Sequence, residues 1–263
     1  MDILTAVIIV AVIGLIVGIV LSLASALMAV PVDEKVEKLT DALPGANCGA
    51  CGYSGCSGYA KALAEGTAQV GLCSPGGNDV AQKLSEILGV ASVGVEKKAA
   101  FVHCMGSKDN TTKTADYQGI YTCAAAAQVN GGGTACNYGC LGFGDCVKAC
   151  EYNSIRVCNG VAQVNTYSCV ACGKCAKACP KGLISIAPVK KRAIVLCSNC
   201  DKGAETRKAC SAGCIGCMLC VKACEFDAVK VINSKALVDA DKCTGCGKCV
   251  DACKIGCIRL INA

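Results

Sequence analysis

The chain is 263 residues long and 27 of them are cysteine, a fraction that calls for either a disulfide framework or a set of metal sites. Recurring Cys-x-x-Cys-x-x-Cys-x-x-x-Cys runs exclude the disulfide framework, because cysteines so close along the chain converge on one metal cluster more readily than they pair with each other. The formal net charge of +6 does not point to nucleic acid either: the basic residues are scattered, and five four-cysteine sites at about −2 each would turn +6 into about −4.

Ile3 to Val32 carries no charged residue, and a helix needs only about 20 apolar residues to cross a bilayer. A cleaved signal peptide is disfavoured, since the first residues include Asp2 and no Lys or Arg. Asp2 precedes the helix while Lys35 and Lys38 follow it, so the positive-inside rule predicts a single-pass plasma-membrane anchor with the cysteine-rich body on the cytoplasmic side. Reducing conditions there suit thiolate ligands. Gly14 and Gly18 are one small-xxx-small step apart, a spacing that permits close packing against another helix.

An amphipathic stretch at Val36 to Leu43 leads into LPGANCGACGYSGC, which with the later GLC supplies Cys48, Cys51, Cys56 and Cys73. Glycines let this backbone wrap tightly, and SGYAKALAEG predicts a short helix before the fourth ligand. The spacing fits one cubane loop better than zinc knuckles. Residues 78–89 predict a capped amphipathic helix with Val80, Leu84, Ile87 and Leu88 on one face. ASVGVEKK after it reads as a boundary.

The remainder is duplicated. The segment starting at Ala135 aligns without a gap on the segment starting at Ala209, each with the two-cluster ferredoxin pattern in which the fourth cysteine of one run crosses to the other run's cluster. In the later copy, Cys214, Cys217 and Cys220 with Cys253 form one predicted site, and Cys243, Cys246 and Cys249 with Cys224 form its neighbour. In the earlier copy Phe143 stands where Cys217 would be, so the predicted sites are Cys136, Cys140 and Cys146 with Cys179, and Cys169, Cys172 and Cys175 with Cys150. Five [4Fe-4S] clusters are therefore expected. Cys104 and Cys197 match each other and, with Cys123, Cys200 and Cys210, could supply a sixth, although their spacing singles out no foursome.

Cys158 matches Ile232 and Cys257 matches Leu183, which predicts packing roles for both. His103, the only histidine, reads as a hydrogen-bonded structural residue. SIRVC, AVKVI and ALVDA predict hairpin strands, while VKAC and AKAC predict brief helices. Proline follows only Cys179; Glu151, Glu225 and Lys254 take that place elsewhere.

With its anchor, its GANCGACGYSGC module and its tandem ferredoxin repeats, the chain resembles the B-subunit family of Rnf complexes. The resemblance implies an iron-sulfur electron-transfer subunit of an ion-translocating ferredoxin:acceptor oxidoreductase, a translocase moving sodium or protons. It also implies soluble ferredoxin as electron donor and other membrane subunits as partners. The shorter family members carry one ferredoxin repeat where this chain carries two. No nucleophilic or dinucleotide motif is present. The expected fold class is α+β, divided into an anchor (1–32), a small 4Fe-4S domain (33–90) and two ferredoxin-like two-cluster modules (91–189 and 190–263). Competing readings are a polyferredoxin subunit of another membrane hydrogenase or dehydrogenase, and a structural multi-zinc protein.

Overall fold

The uncharged N-terminal run forms one helix, α1 (Ile3–Leu27), whose side chains from Val7 to Ala24 are covered by nothing else in the protein. The computed structural model describes residues 3–27, 33–91 and 94–261. Asp2, the end of the uncharged run at 28–32 and part of the predicted boundary at 92–93 lie outside the described residues.

Three helices build the next layer: α2 (Glu34–Ala42), α3 (Cys56–Ala64) and α4 (Gly77–Leu88). Asp33 caps α2 by accepting from the Lys35 amide at 2.9 Å. Gly89 ends α4 in the left-handed conformation that suits glycine at a helix C-terminus. Leu39, Leu43, Leu63, Leu84 and Tyr59 are buried between them, with Val80, Ile87 and Leu88 against the same cluster. The periodicity predicted that apolar face of α4.

Beyond residue 94 the chain builds the same four-strand plan twice. In the first half β1 (Lys98–Val102) pairs antiparallel with β4 (Ile184–Pro188), enclosing the hairpin of β2 (Ile155–Cys158) and β3 (Val161–Val164). In the second, β5 (Arg192–Val195) pairs with β8 (Ile258–Ile261) around the hairpin of β6 (Val229–Ile232) and β7 (Lys235–Val238). Each hairpin turns on two positive-φ residues, Asn159-Gly160 and Asn233-Ser234, as a two-residue primed turn requires. The hairpins were legible from alternation. The outer pairings were not, because each joins strands some 65 to 90 residues apart, as a chain-end closure must.

Short helices carry the cysteine runs: α5 (Cys123–Gln128), α6 (Asp145–Lys148), α7 (Lys174–Ala178), α8 (Gly203–Ala209), α9 (Leu219–Lys222) and α10 (Lys248–Asp251). α6 packs on α7 and α9 on α10. Each pair is tied by an equivalent exposed ion pair, Glu151 with Lys174 and Glu225 with Lys248, so the glutamates in the position that ferredoxins give to proline link the two runs of each half. The halves meet where Ala99 and Phe101 of β1 bury against Ile194 of β5 and Ile261 of β8.

Candidate metal centres

In the N-terminal layer, the loop before α3 is shaped by one side chain. Asn47 accepts from the Cys56 amide at 2.9 Å, capping α3 from nine residues away. Its Oδ1 would lie 2.8 Å from a Cβ on Gly55, where φ is +156°, so only glycine lets the loop close there. From the other side the Tyr59 hydroxyl donates to the Gln69 carbonyl at 2.8 Å and accepts from the Leu72 amide at 3.3 Å, which holds the segment bearing Cys73. Burial pushes the Cys73 thiol up, and Cys56, Cys51 and Cys48 around it push further. Cys73 is buried in this layer's core, with Cys51 and Cys56 packed against it.

In the first half, Cys150, Cys169, Cys172 and Cys175 line one pocket, and the Ala100 amide of β1 donates to Cys169 Sγ at 3.4 Å. In the second half the counterpart is Cys249 with Cys243, Cys224 and Cys246 as its neighbours, and the Ala193 amide of β5 donates to Cys243 Sγ at 3.4 Å. The outer strands thus aim equivalent amides at equivalent sulfurs. A further pocket is lined by Cys214, Cys217, Cys220 and Cys253 together with Cys257. There the Ala236 amide donates to Cys214 Sγ at 3.4 Å.

The structure arranges one predicted grouping differently. Cys136, expected with Cys140, Cys146 and Cys179, is replaced beside them by Cys123, the first residue of α5. Asp145 explains the placement: its Oδ2 accepts from the Ala124 amide at 2.9 Å, fixing the start of α5 to α6. Phe143, at the position of the missing cysteine, packs edge-on against Tyr117 and Tyr121 of the segment that delivers α5. Cys136 instead lines a separate pocket with Cys104, Cys197 and Cys210. The repeat held the signal. Cys136 matches Cys210, which has no place in the second half's pairs, so consistency required Cys136 to stand outside them too.

Cys158 and Cys257 behave differently from each other. Cys158 is a half-buried strand residue. Cys257 is buried in the core of the second half, yet also lines the Cys214 pocket. Cys200 donates to the Ser198 carbonyl at 3.5 Å. His103 is structural: Nδ1 lies 2.8 Å from the Val195 carbonyl and Nε2 2.6 Å from Ser185 Oγ. Since a carbonyl only accepts, Nδ1 carries the hydrogen and Nε2 accepts from the serine. Burial holds its pKa below the ordinary value.

All 27 cysteines are free. Among the described residues no three or more His, Cys, Asp or Glu side chains converge as ligands of a single metal ion would; a Zn–S bond of about 2.3 Å would bring sulfurs within roughly 4 Å of one another. Cysteines line four of the pockets in groups of four or five, and backbone amides donate to several sulfurs, a donor chemistry that fits a polynuclear iron-sulfur cluster. Burial, reinforced by neighbouring thiols, pushes Cys146 up to about 12 and Cys175 and Cys220 up to about 11. Without cationic metal these three thiols would hold their protons, so loading iron releases them.

Comparison with known proteins agrees with this donor chemistry. Residues 43–75 match a family model described as "Putative Fe-S cluster", residues 213–257 a 4Fe-4S dicluster domain and residues 162–185 a 4Fe-4S binding domain. The B subunit of the proton-translocating ferredoxin:NAD(+) oxidoreductase complex of Clostridium ljungdahlii is 40% identical over 87% of this chain and 81% of its own length. The B subunit of the ion-translocating oxidoreductase complex of Methanosarcina acetivorans is 36% identical over 87% of both chains. The B subunit of the Na(+)-translocating ferredoxin:NAD(+) oxidoreductase complex of Acetobacterium woodii is 41% identical over 87% of this chain and 69% of its own.

Proposed function

Because the chain belongs to the B-subunit family of Rnf-type ion-translocating oxidoreductase complexes, we propose that it takes electrons singly from reduced ferredoxin and relays them to partner subunits. It is an iron-sulfur electron-transfer subunit of a membrane-associated, multi-subunit complex. Each [4Fe-4S] cluster, when bound, takes up and gives up one electron. Everything else in the relay is done by this chain's residues.

The proposed ligand sets are Cys48, Cys51, Cys56 and Cys73; Cys150, Cys169, Cys172 and Cys175; Cys123, Cys140, Cys146 and Cys179; Cys214, Cys217, Cys220 and Cys253; and Cys224, Cys243, Cys246 and Cys249. Amides of Ala100, Ala193 and Ala236 donate to their sulfurs, which favours the more reduced, more negative state of a site. Helix α1 supplies the anchor, and Lys35 and Lys38 behind it favour the cytoplasmic side for the body. The domain division 1–32, 33–90, 91–189 and 190–263, with two ferredoxin-like modules, follows the two four-strand plans.

The observation that carries the relay reading is the adjacency of quartets. Tyr152 lines the pocket of Cys150, Cys169, Cys172 and Cys175. Cys146 of the third quartet and Cys175 of the second are buried in one core cluster, as are Cys220 of the fourth and Cys249 of the fifth. Cys217 and Cys246 in the last two are exposed, which opens that end to a soluble donor. The test is anaerobic purification of the full chain in detergent, followed by mixing with chemically reduced ferredoxin. Rapid oxidation of ferredoxin with bleaching of brown absorbance is expected; a colourless protein holding stoichiometric zinc would overturn the reading.

A further inference from the structure

Four cysteines stand outside the five proposed quartets and line one pocket at the junction of the two halves: Cys104, Cys136, Cys197 and Cys210. Each half contributes an equivalent pair, since Cys104 matches Cys197 and Cys136 matches Cys210 in the repeat. Where a cysteine serves only packing, the repeat puts an aliphatic residue opposite it, as Ile232 opposite Cys158. Here cysteine is matched by cysteine.

Hydrogen-bond donors surround these sulfurs. Cys104 Sγ accepts from the amides of Gly106 at 3.3 Å and Cys140 at 3.4 Å, and Cys197 Sγ from the amide of Cys214 at 3.2 Å. The Thr111 hydroxyl lies 3.8 Å from Cys210 Sγ and donates to it. Asn199, buried, has its Oδ1 occupied by the Asp201 amide and the Thr206 hydroxyl, which leaves Nδ2 to donate to Cys136 Sγ at 3.5 Å. Apolar packing needs no such set of donors; anionic sulfur does. A Cβ on Gly106 would stand 2.6 Å from Thr111 Oγ1 and 3.5 Å from both Cys104 Sγ and Cys210 Sγ, so sulfurs from the two halves and the threonine that bonds one of them face the same small space beside this glycine.

We infer that Cys104, Cys136, Cys197 and Cys210 ligate a sixth four-iron cluster, which is the electron crossing between the two halves. Its position is what the relay reading lacks, and the inference rests on that reading for its purpose alone. Cys140, whose amide bonds Cys104, belongs to the third quartet, and Cys214, whose amide bonds Cys197, belongs to the fourth. Hydrogen bonds from the ligands of both flanking sites therefore end on this one. One electron enters from one flank and leaves to the other, while no bond is made and no proton moves.

The experiment is iron and acid-labile sulfide per full-length chain, purified anaerobically in detergent, with the paramagnetic resonance spectrum of the reduced form. About 24 iron are expected, and about 20 in a Cys104→Ala/Cys210→Ala variant, given four irons per site. Gly106→Val keeps every ligand but displaces the Thr111 hydroxyl from Cys210 and crowds both sulfurs, so it too should lose about four iron and the same spectral component. Cys158→Ala should lose none. About 20 iron in the wild type, or a disulfide among the four cysteines, overturns the inference, as does wild-type iron in Gly106→Val. Should the double variant lose all its iron through misfolding, Gly106→Val decides. A chain with about 24 iron that does not oxidise ferredoxin would sink the relay and leave this site standing.

Discussion

The sulfur of Cys257 stands 3.6 Å from the sulfur of Cys253. Cys257 lines the same pocket as Cys214, and the proximity of the two thiols pulls that of Cys214 down and drives that of Cys257 up. A buried thiol thus sits beside two proposed ligands of one cluster, where the first half has Leu183. Hydrogen bonds to ligand sulfur stabilise the reduced state. Cys257→Leu is predicted to keep its full iron and to move that cluster's midpoint potential negative by on the order of 30 to 60 mV, or about 0.7 to 1.4 kcal/mol for one electron. A redox titration followed by paramagnetic resonance checks it; a loss of about four iron would instead make Cys257 a ligand.

Cys123 separates the geometry from the sequence pattern. Cys123→Ala should remove the cluster it would share with Cys140, Cys146 and Cys179, taking about four iron with it. Had the spacing been the better guide, Cys123→Ala would leave iron unchanged, and an iron assay distinguishes the two directly.

Gly55 and Asn47 give a test in the N-terminal layer. Gly55→Ala places a Cβ 2.8 Å from Asn47 Oδ1 at a φ of +156°, so the loop bearing Cys48 and Cys51 cannot close and about four iron should be lost. Asn47→Ala removes only the cap on α3 and should lower stability by about 1 kcal/mol while retaining iron. Iron content and urea unfolding of both variants are the readouts.

His103 ties the halves together through the Val195 carbonyl and Ser185 hydroxyl. His103→Ala leaves both partners without this bond in a largely buried setting, and is predicted to destabilise the protein by about 2 kcal/mol. The midpoint of urea unfolding, followed by loss of visible absorbance, should fall accordingly. An unchanged midpoint would mean that the junction is held by Phe101, Ile194 and Ile261 alone.

The sequence by itself determined the cofactor class, the long apolar N-terminal helix, the duplication and the cysteine runs. The physical reason is that closely spaced cysteine runs recurring along a chain are suited to ligating clusters, and an uncharged run of this length is long enough to span a bilayer. It also specified local elements: α4 from its 3.6-residue period, and hairpin strands from the alternation of SIRVC, AVKVI and ALVDA. Tertiary structure alone decided what joins distant segments. The β1–β4 and β5–β8 pairings close each half over long loops that no local pattern encodes. Cys123 reaches the Cys140 pocket because Asp145 fixes α5 and Phe143 packs on Tyr117 and Tyr121, which frees Cys136 for the junction. The gathering of Cys104, Cys136, Cys197 and Cys210 depends on how two folded halves face each other, and spacing along one chain carries no record of that.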